Sequence, residues 1–131
     1  IDTGPTLGIL SVMAMIAADT IIIPIQASYY ALQGTSDLLN TYRMVKKNLN
    51  KDLDLLGVII TMYAKTTNIS KEAAEEIRES FGEKVFSTVI SRRVVLEESP
   101  ASGKGIGTYR PRSDSAREYR ALYEEVIARG R

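Results

Sequence analysis

The carboxylate of Asp2, in the run Ile1-Asp2-Thr3-Gly4-Pro5-Thr6-Leu7-Gly8, is the group whose surroundings best suit it to chemistry. An apolar residue before it and a Gly/Pro turn after it read as the end of a buried strand. An Asp at the carboxyl end of a strand sits in the crevice where α/β sheets bind ligands. In phosphoryl-transfer enzymes an Asp so placed holds a magnesium ion or its water. The same carboxylate could instead cap the helix expected from about Leu10 to Ala18 by accepting from backbone N–H groups, and the octapeptide alone leaves both roles open.

The other candidate groups are cations. Lys65 lies in Ala64-Lys65-Thr66-Thr67-Asn68, while Arg92, Arg93, Lys104, Arg110 and Arg112 fall in a Gly-, Ser- and Pro-rich stretch. Solvated surface charge is the usual explanation of such residues. A net charge of +1 gives no global attraction to a polyanion, so any such contact must come from local clusters. The chain has no histidine, which removes the commonest general base and metal ligand. It has no cysteine either, so disulfides, iron–sulfur clusters and Cys-based zinc sites are excluded.

These groups need elements to position them. Apolar residues make up 44% of the 131 and charged residues 25%, ordinary for a globular chain of one domain or part of one. Short Val/Ile-rich runs alternate with segments of helical period, the pattern of a parallel sheet covered by helices on both faces. Strands are expected near Thr20–Gln26, Leu55–Met62 and Lys84–Ile90, each buried on both sides, with a further stub at Ile1. Helices are expected near Gly8–Ala18, Tyr30–Leu49, Lys71–Phe81 and Ser113–Arg129. In the second, Leu32, Leu38, Leu39, Tyr42, Val45 and Leu49 form the apolar stripe. In the last, Ala116, Tyr119, Leu122, Tyr123, Val126 and Ile127 share one side, and its mixed charge favours docking on the sheet over lying in a membrane. Ser70 is the expected N-cap of the third helix and Gly82 its stop. Ser91 to Pro111 reads as one long irregular segment. The longest apolar run, about Ile21 to Ile25, is far short of the ~20 residues of a membrane span. No Gly-rich segment ends in Gly-Lys-Ser/Thr: Gly103-Lys104-Gly105 lacks both the Ser/Thr and the following helix.

Over nearly its whole length the chain resembles the carboxyl-terminal half of ParA/Soj-type partition ATPases, in the deviant Walker A (MinD/ParA) superfamily. The residues carrying the likeness are Asp2 through Gly8, Ile23 through Gly34, Leu38-Leu39-Asn40-Thr41, Gly57 through Tyr63, and Phe81 through Phe86. Arg92 through Leu96, followed by Glu98, Pro100, Gly103 and Lys104, complete it. The resemblance implies a single partial domain over residues 1–131. Its fold class would be α/β, three-layer, with a mostly parallel sheet flanked by helices: P-loop NTPase-like, incomplete, lacking the N-terminal phosphate-binding loop. Nitrogenase iron protein, which shares that fold, needs cysteine ligands this chain does not have.

The resemblance further implies ATP and Mg²⁺ as cofactors in the complete parent. It places Asp2 as the catalytic, metal-side carboxylate, and Gly4, Pro5, Thr61, Met62, Ser91 and Arg92 at the nucleotide. Lys65, Arg92, Arg93 and Lys104 would touch DNA phosphates without sequence preference. Met62 as a core residue and Thr61 as a plain strand terminus stay open beside that. Relatives tend to have Pro at the positions of Gly4 and Ser91, and Arg at those of Lys65 and Val95. The implied function is ATP-dependent DNA segregation by a cytoplasmic, nucleoid-associated homodimer, with a ParB-type centromere-binding protein stimulating hydrolysis and no membrane involved. The 131 residues alone should not hydrolyse ATP. The rival readings are an ATPase that positions a protein array or acts at a membrane, and a degenerate dimerisation module.

Overall fold

The computed structural model describes residues 1–4, 7–30 and 35–130. Three strands, β1 (Thr20–Gln26), β2 (Asp54–Tyr63) and β3 (Val85–Ser91), form a sheet in the order β1-β2-β3 with both pairs parallel. Helices α1 (Ile9–Ala17), α2 (Thr35–Asn48) and α3 (Asn68–Phe81) precede or connect the strands, and α4 (Val94–Ala101), α5 (Ile106–Tyr109) and α6 (Asp114–Arg129) follow them. The β-branched runs are strands because their side chains fill both sides of a pleated surface.

One face of the sheet, with Ile23, Ile25, Val58 and Ile60, packs on Ala73, Ala74 and Ile77 of α3 and on Leu38, Leu39 and Tyr42 of α2. The opposite face, with Ile59, Phe86 and Ile90, packs on Leu96 of α4 and on Leu122 and Val126 of α6. Helix α1 lies against α2 through Met15, Val45 and Leu53. Its carboxyl end is closed by Asn50, whose side-chain amide donates to the carbonyls of Met15, Ile16 and Ala18. That satisfies carbonyls which a helix terminus leaves orphaned. This is the α/β, three-layer, parallel arrangement expected.

Two close approaches shape the sheet. A bulge between Ile21 and Ile22 sets Leu55 and Gly57 of β2 against consecutive residues of β1, which leaves Leu56 as the extra residue. A Cβ on Gly57 would lie 2.6 Å from Cε2 of Phe86 and 2.8 Å from Arg129 Nη1, so only glycine lets that ring and guanidinium seat over the strand. Gly82, at φ +52°, ends α3, and its N–H donates to the Arg78 carbonyl.

Several expectations are corrected. Ile1 is not strand: residues 1–4 are irregular, Ile1 is 89% exposed, and the sheet consists of β1, β2 and β3 among the described residues. Strand β1 is buried on one face only. Ile22, Pro24 and Gln26 point to the other, where no helix of the described residues covers them. Tyr29 and Tyr30 form a turn with their rings edge to face, and α2 begins at Thr35; Ala31 to Gly34, Leu32 among them, lie outside the described residues. Leu49 is exposed beyond the end of α2. Ser70 is not an N-cap: α3 starts at Asn68, and Ser70 is buried one turn in. The stretch from Ser91 to Pro111 holds α4 and α5. Pro100 sits in the last turn of α4, where it costs the helix one i→i−4 bond, and the helix end is closed by Ser102 N–H donating to Glu98 and Ser99 and by Gly103 N–H donating to Pro100. Helix α6 does dock on the sheet, with Ser113 as its N-cap accepting from Ala116 N–H. Its stripe is split, however: Ala116, Leu122 and Val126 face inward while Tyr119, Tyr123 and Ile127 are exposed.

Candidate functional site

The carboxyl ends of the three strands form one rim. Ala27 N–H donates to the Thr61 carbonyl (2.9 Å) and Arg92 N–H to the Tyr63 carbonyl (2.9 Å), so the parallel ladder runs past the strands into the turns. Ser70, carried on α3, closes the rim from below: its Oγ accepts from Ala64 N–H (2.9 Å) and donates to the Ala27 carbonyl (3.3 Å). Thr61, Met62, Ser91 and Arg92, expected at a nucleotide, therefore do come together.

Met62 is the one non-glycine residue at positive φ among the described residues, at 54°, and 43% of it is exposed. It is not a core residue. A side chain held in the left-handed region costs about 1–3 kcal/mol, and such positions concentrate at binding sites.

The cations divide into two groups. Lys65, in the β2–α3 turn, and Arg92, in the β3–α4 turn, are exposed, and no hydrogen bond or ion pair engages either side chain among the described residues. The Arg92–Tyr63 backbone bond places their turns side by side. Arg93 differs. Its Nη2 pairs with Glu118 Oε1 at 2.8 Å and its Nη1 with Asp114 Oδ2 at 3.0 Å, and the Glu118 bond above all raises its pKa. Lys104 is exposed at the far end of α4, about 12 Å along an eight-residue helix.

Glu118 is the residue that sequence reasoning missed. Besides Arg93 it accepts from Ser91 N–H (3.0 Å) and Ser91 Oγ (2.8 Å). Burial works to raise its pKa, but the two Ser91 donors and Arg93 outweigh that and hold it below the usual carboxylate range. Further along α6, Glu125 accepts from the N–H groups of Ser87 (2.8 Å) and Thr88 (2.7 Å) and from the Thr88 hydroxyl. Arg129 donates to the carbonyls of Lys84 and Val85 and stacks 4.3 Å from the centre of the Phe86 ring. The only advance signal was spacing: 118, 125 and 129 lie seven and four apart, on one helical face beside Leu122 and Val126.

Asp2 and Gly4 stand apart from the rim. Asp2 is exposed, and the N-cap of α1 is Gly8 with no side-chain bond, so Asp2 does not cap that helix. Ile1, Thr3 and Gly4 line an open groove of about 830 Å³ with Leu7, α1 and the uncovered face of β1. Pro5 lies outside the described residues. Among the described residues no group of three acidic or other ligating side chains could enclose a metal.

Residues 1–55 match the family model of an AAA domain (AAA_31). The chain is 48% identical over 130 residues to the sporulation initiation inhibitor protein Soj of Bacillus subtilis, covering 99% of this chain and 51% of that protein. It is 45% identical to the chromosome-partitioning ATPase Soj of Thermus thermophilus, covering 98% and 52%, and 38% identical to the chromosome partitioning protein ParA of Caulobacter vibrioides, covering 100% and 49%. The chain belongs to the Soj/ParA family. It spans about half the length of the curated relatives it matches. Among solved structures, cobyrinic acid a,c-diamide synthase from Mycobacterium smegmatis superposes with a TM-score of 0.67 at 26% identity, over 87% of this Soj/ParA chain and 40% of the synthase. The same enzyme with bound ADP and magnesium superposes at 0.61, over 76% and 46%.

Proposed function

We propose that this chain is part of a DNA-partitioning ATPase, in which an ATP-bound dimer grips DNA without regard to sequence and a ParB-type partner stimulates hydrolysis and release. The observation that carries the reading is the pairing of the Soj/ParA likeness with the rim itself, where two unpaired cations, Lys65 and Arg92, flank the strained Met62 turn.

The residues present suit a supporting part in nucleotide binding. The Thr61–Met62 and Ser91–Arg92 turns present the exposed side chains of Met62 and Arg92 toward a base and ribose, and Asp2 offers an exposed carboxylate that no hydrogen bond or ion pair engages among the described residues. They offer no phosphate cradle, so the phosphate-binding loop must be supplied by other residues of the active ATPase. Bound together, ATP and Mg²⁺ would supply a reactive phosphoryl group with its charge partly neutralised. Asp2 would hold the water of such a metal. Lys65 and Arg92 meet phosphates, with Lys104, exposed beyond the end of α4, as a further contact. Arg93 is already committed to two carboxylates, and a phosphate would have to compete for it.

The test is binding of the complete ATPase to two unrelated duplexes with ATP and with ADP. Equal, ATP-dependent affinity for both is expected. ATP-dependent assembly without DNA affinity would favour the protein-array reading instead.

A further inference from the structure

We propose that Glu118 is a positioning residue for the β3–α4 turn, a single carboxylate that fixes both neighbours of Arg92 and so sets where the unpaired guanidinium stands. The inference rests on the reading of this rim as the nucleotide- and DNA-facing side, and deepens it.

Three bonds define the clamp. The two oxygens of Glu118 take the N–H and the hydroxyl of Ser91, at 3.0 and 2.8 Å, and one of them also takes Nη2 of Arg93 at 2.8 Å. Ser91 is only 6% exposed, so its two donors have no water to fall back on, and a buried donor left unpaired is costly. Between these anchored residues the backbone N–H of Arg92 is tied to Tyr63 of β2. Residues 91–93 are therefore held from both sides, and the Arg92 side chain alone is left over. The clamp stands on a fixed base. Glu125 binds β3 at Ser87 and Thr88, and Arg129 binds Lys84 and Val85, so α6 cannot slide relative to the strand. The two amides that Glu125 meets lie in an irregularity of the ladder, where the three residues Val58 to Ile60 of β2 face the five from Val85 to Val89. The third donor of Arg93, Nε, is buried with no partner. Asp114 and Glu118 alone thus orient that guanidinium.

The experiment uses the complete ATPase with Glu118→Gln, Glu118→Ala, Asp114→Asn and Ser91→Pro, and reads amide exchange at Ser91 together with DNA affinity and its salt slope. Charge-assisted bonds are the strong ones. Losing them should speed Ser91 exchange tenfold or more in Glu118→Ala and weaken DNA binding about three- to tenfold, with the salt slope lowered by no more than the about 0.9 per subunit that Arg92 contributes. Asp114→Asn should leave Ser91 exchange unchanged. Proline at 91 removes two of the three donors and stiffens the turn by itself, so in that background Glu118→Gln should cost less DNA affinity than in the parent, the remainder reflecting the lost Arg93 pair. A merely structural Glu118 would cost the same in both backgrounds, and that result overturns the proposal. So does parent-like Ser91 exchange in both Glu118 variants. Should the parent bind no DNA, the functional reading fails, while Ser91 exchange still decides the role of Glu118.

Discussion

Neutralising Lys65, Arg92 and Arg93 one at a time separates phosphate contact from loop support, because the structure gives the three cations different surroundings. Each phosphate neutralised on duplex DNA contributes about 0.9 to the slope of log affinity against log salt. Among the described residues Lys65 and Arg92 have no side-chain partner, so Lys65→Ala or Arg92→Ala should reduce that slope by about 0.9, or about 1.8 when both subunits of a dimer bind alike. Between 50 and 200 mM salt, a fourfold change, a slope lower by 1.8 means an affinity loss smaller by about twelvefold than that of the parent. Arg93 is held by Glu118 and Asp114. Arg93→Ala should weaken binding at all salt concentrations and leave the slope near that of the parent. Fluorescence anisotropy on one duplex, titrated at five salt concentrations, reads both quantities. A parent-like slope in the Lys65 and Arg92 variants would refute the assignment of contact to the unpaired cations. A slope reduced by Arg93→Ala alone would show that its ion pairs open to receive phosphate.

Four further outcomes are expected. Gly57→Ala drives a Cβ into the Phe86 ring and the Arg129 guanidinium, both fixed by their own contacts, and should cost about 1–3 kcal/mol by urea unfolding; an unchanged midpoint would mean that the ring has room to move. Glu118 and Glu125 are held below the ordinary carboxylate value of 4.5 when folded. Protonation therefore favours the unfolded state, and the stability they add is complete above about that pH and lost as pH falls through their folded values; a Glu118→Gln/Glu125→Gln variant should show a flatter fall in urea midpoint between pH 5 and pH 3. Asp2→Ala in the complete ATPase should abolish turnover and spare nucleotide affinity, measured separately; unchanged hydrolysis would remove Asp2 from the chemistry. The 131-residue polypeptide should self-associate in light scattering, since Ile9, Leu10, Met13, Ile16 and Ile22 are all exposed along α1 and the uncovered face of β1; a sharp monomer would show that these residues find cover within the chain.

What could be read in advance was local. The runs Thr20–Gln26, Asp54–Tyr63 and Val85–Ser91 are strands because β-branched residues dominate them, and the expected bounds were off by no more than one residue. Gly82 and Ser113 end and begin helices through backbone conformation and a side-chain acceptor that act within one turn. The rim residues Thr61, Met62, Ser91 and Arg92 could be placed together because parallel strands end on the same side. Where local signals compete, the reading went astray. Pro100, Gly103 and Gly105 spoke for an irregular segment, yet α4 forms because Leu96 packs on Phe86 and Ile90, and the Ser99 hydroxyl, reaching the Lys104 carbonyl, secures its end.

What could not be read was long-range. Ser70 looked like a helix cap because Ser before an acidic turn is one, but its hydroxyl reaches Ala27, 43 residues away, a contact with no trace in spacing. Glu118 and Ser91 are 27 residues apart. The polar face of α6 has the same long reach. Its three members there satisfy backbone groups of a strand that has no neighbour on that side: Glu118 and Glu125 accept from β3, and Arg129 donates to it. An exposed strand edge invites pairing with another chain. By covering the β3 edge with charged side chains, α6 both closes that edge and fixes the turn on which Arg92 stands. The β1 edge has no such cover, and the groove there is lined by Ile21, Ile22 and Pro24. The two edges of this sheet are therefore unlike. One is sealed by the chain itself and carries Arg92 at its end, and the other leaves apolar surface exposed.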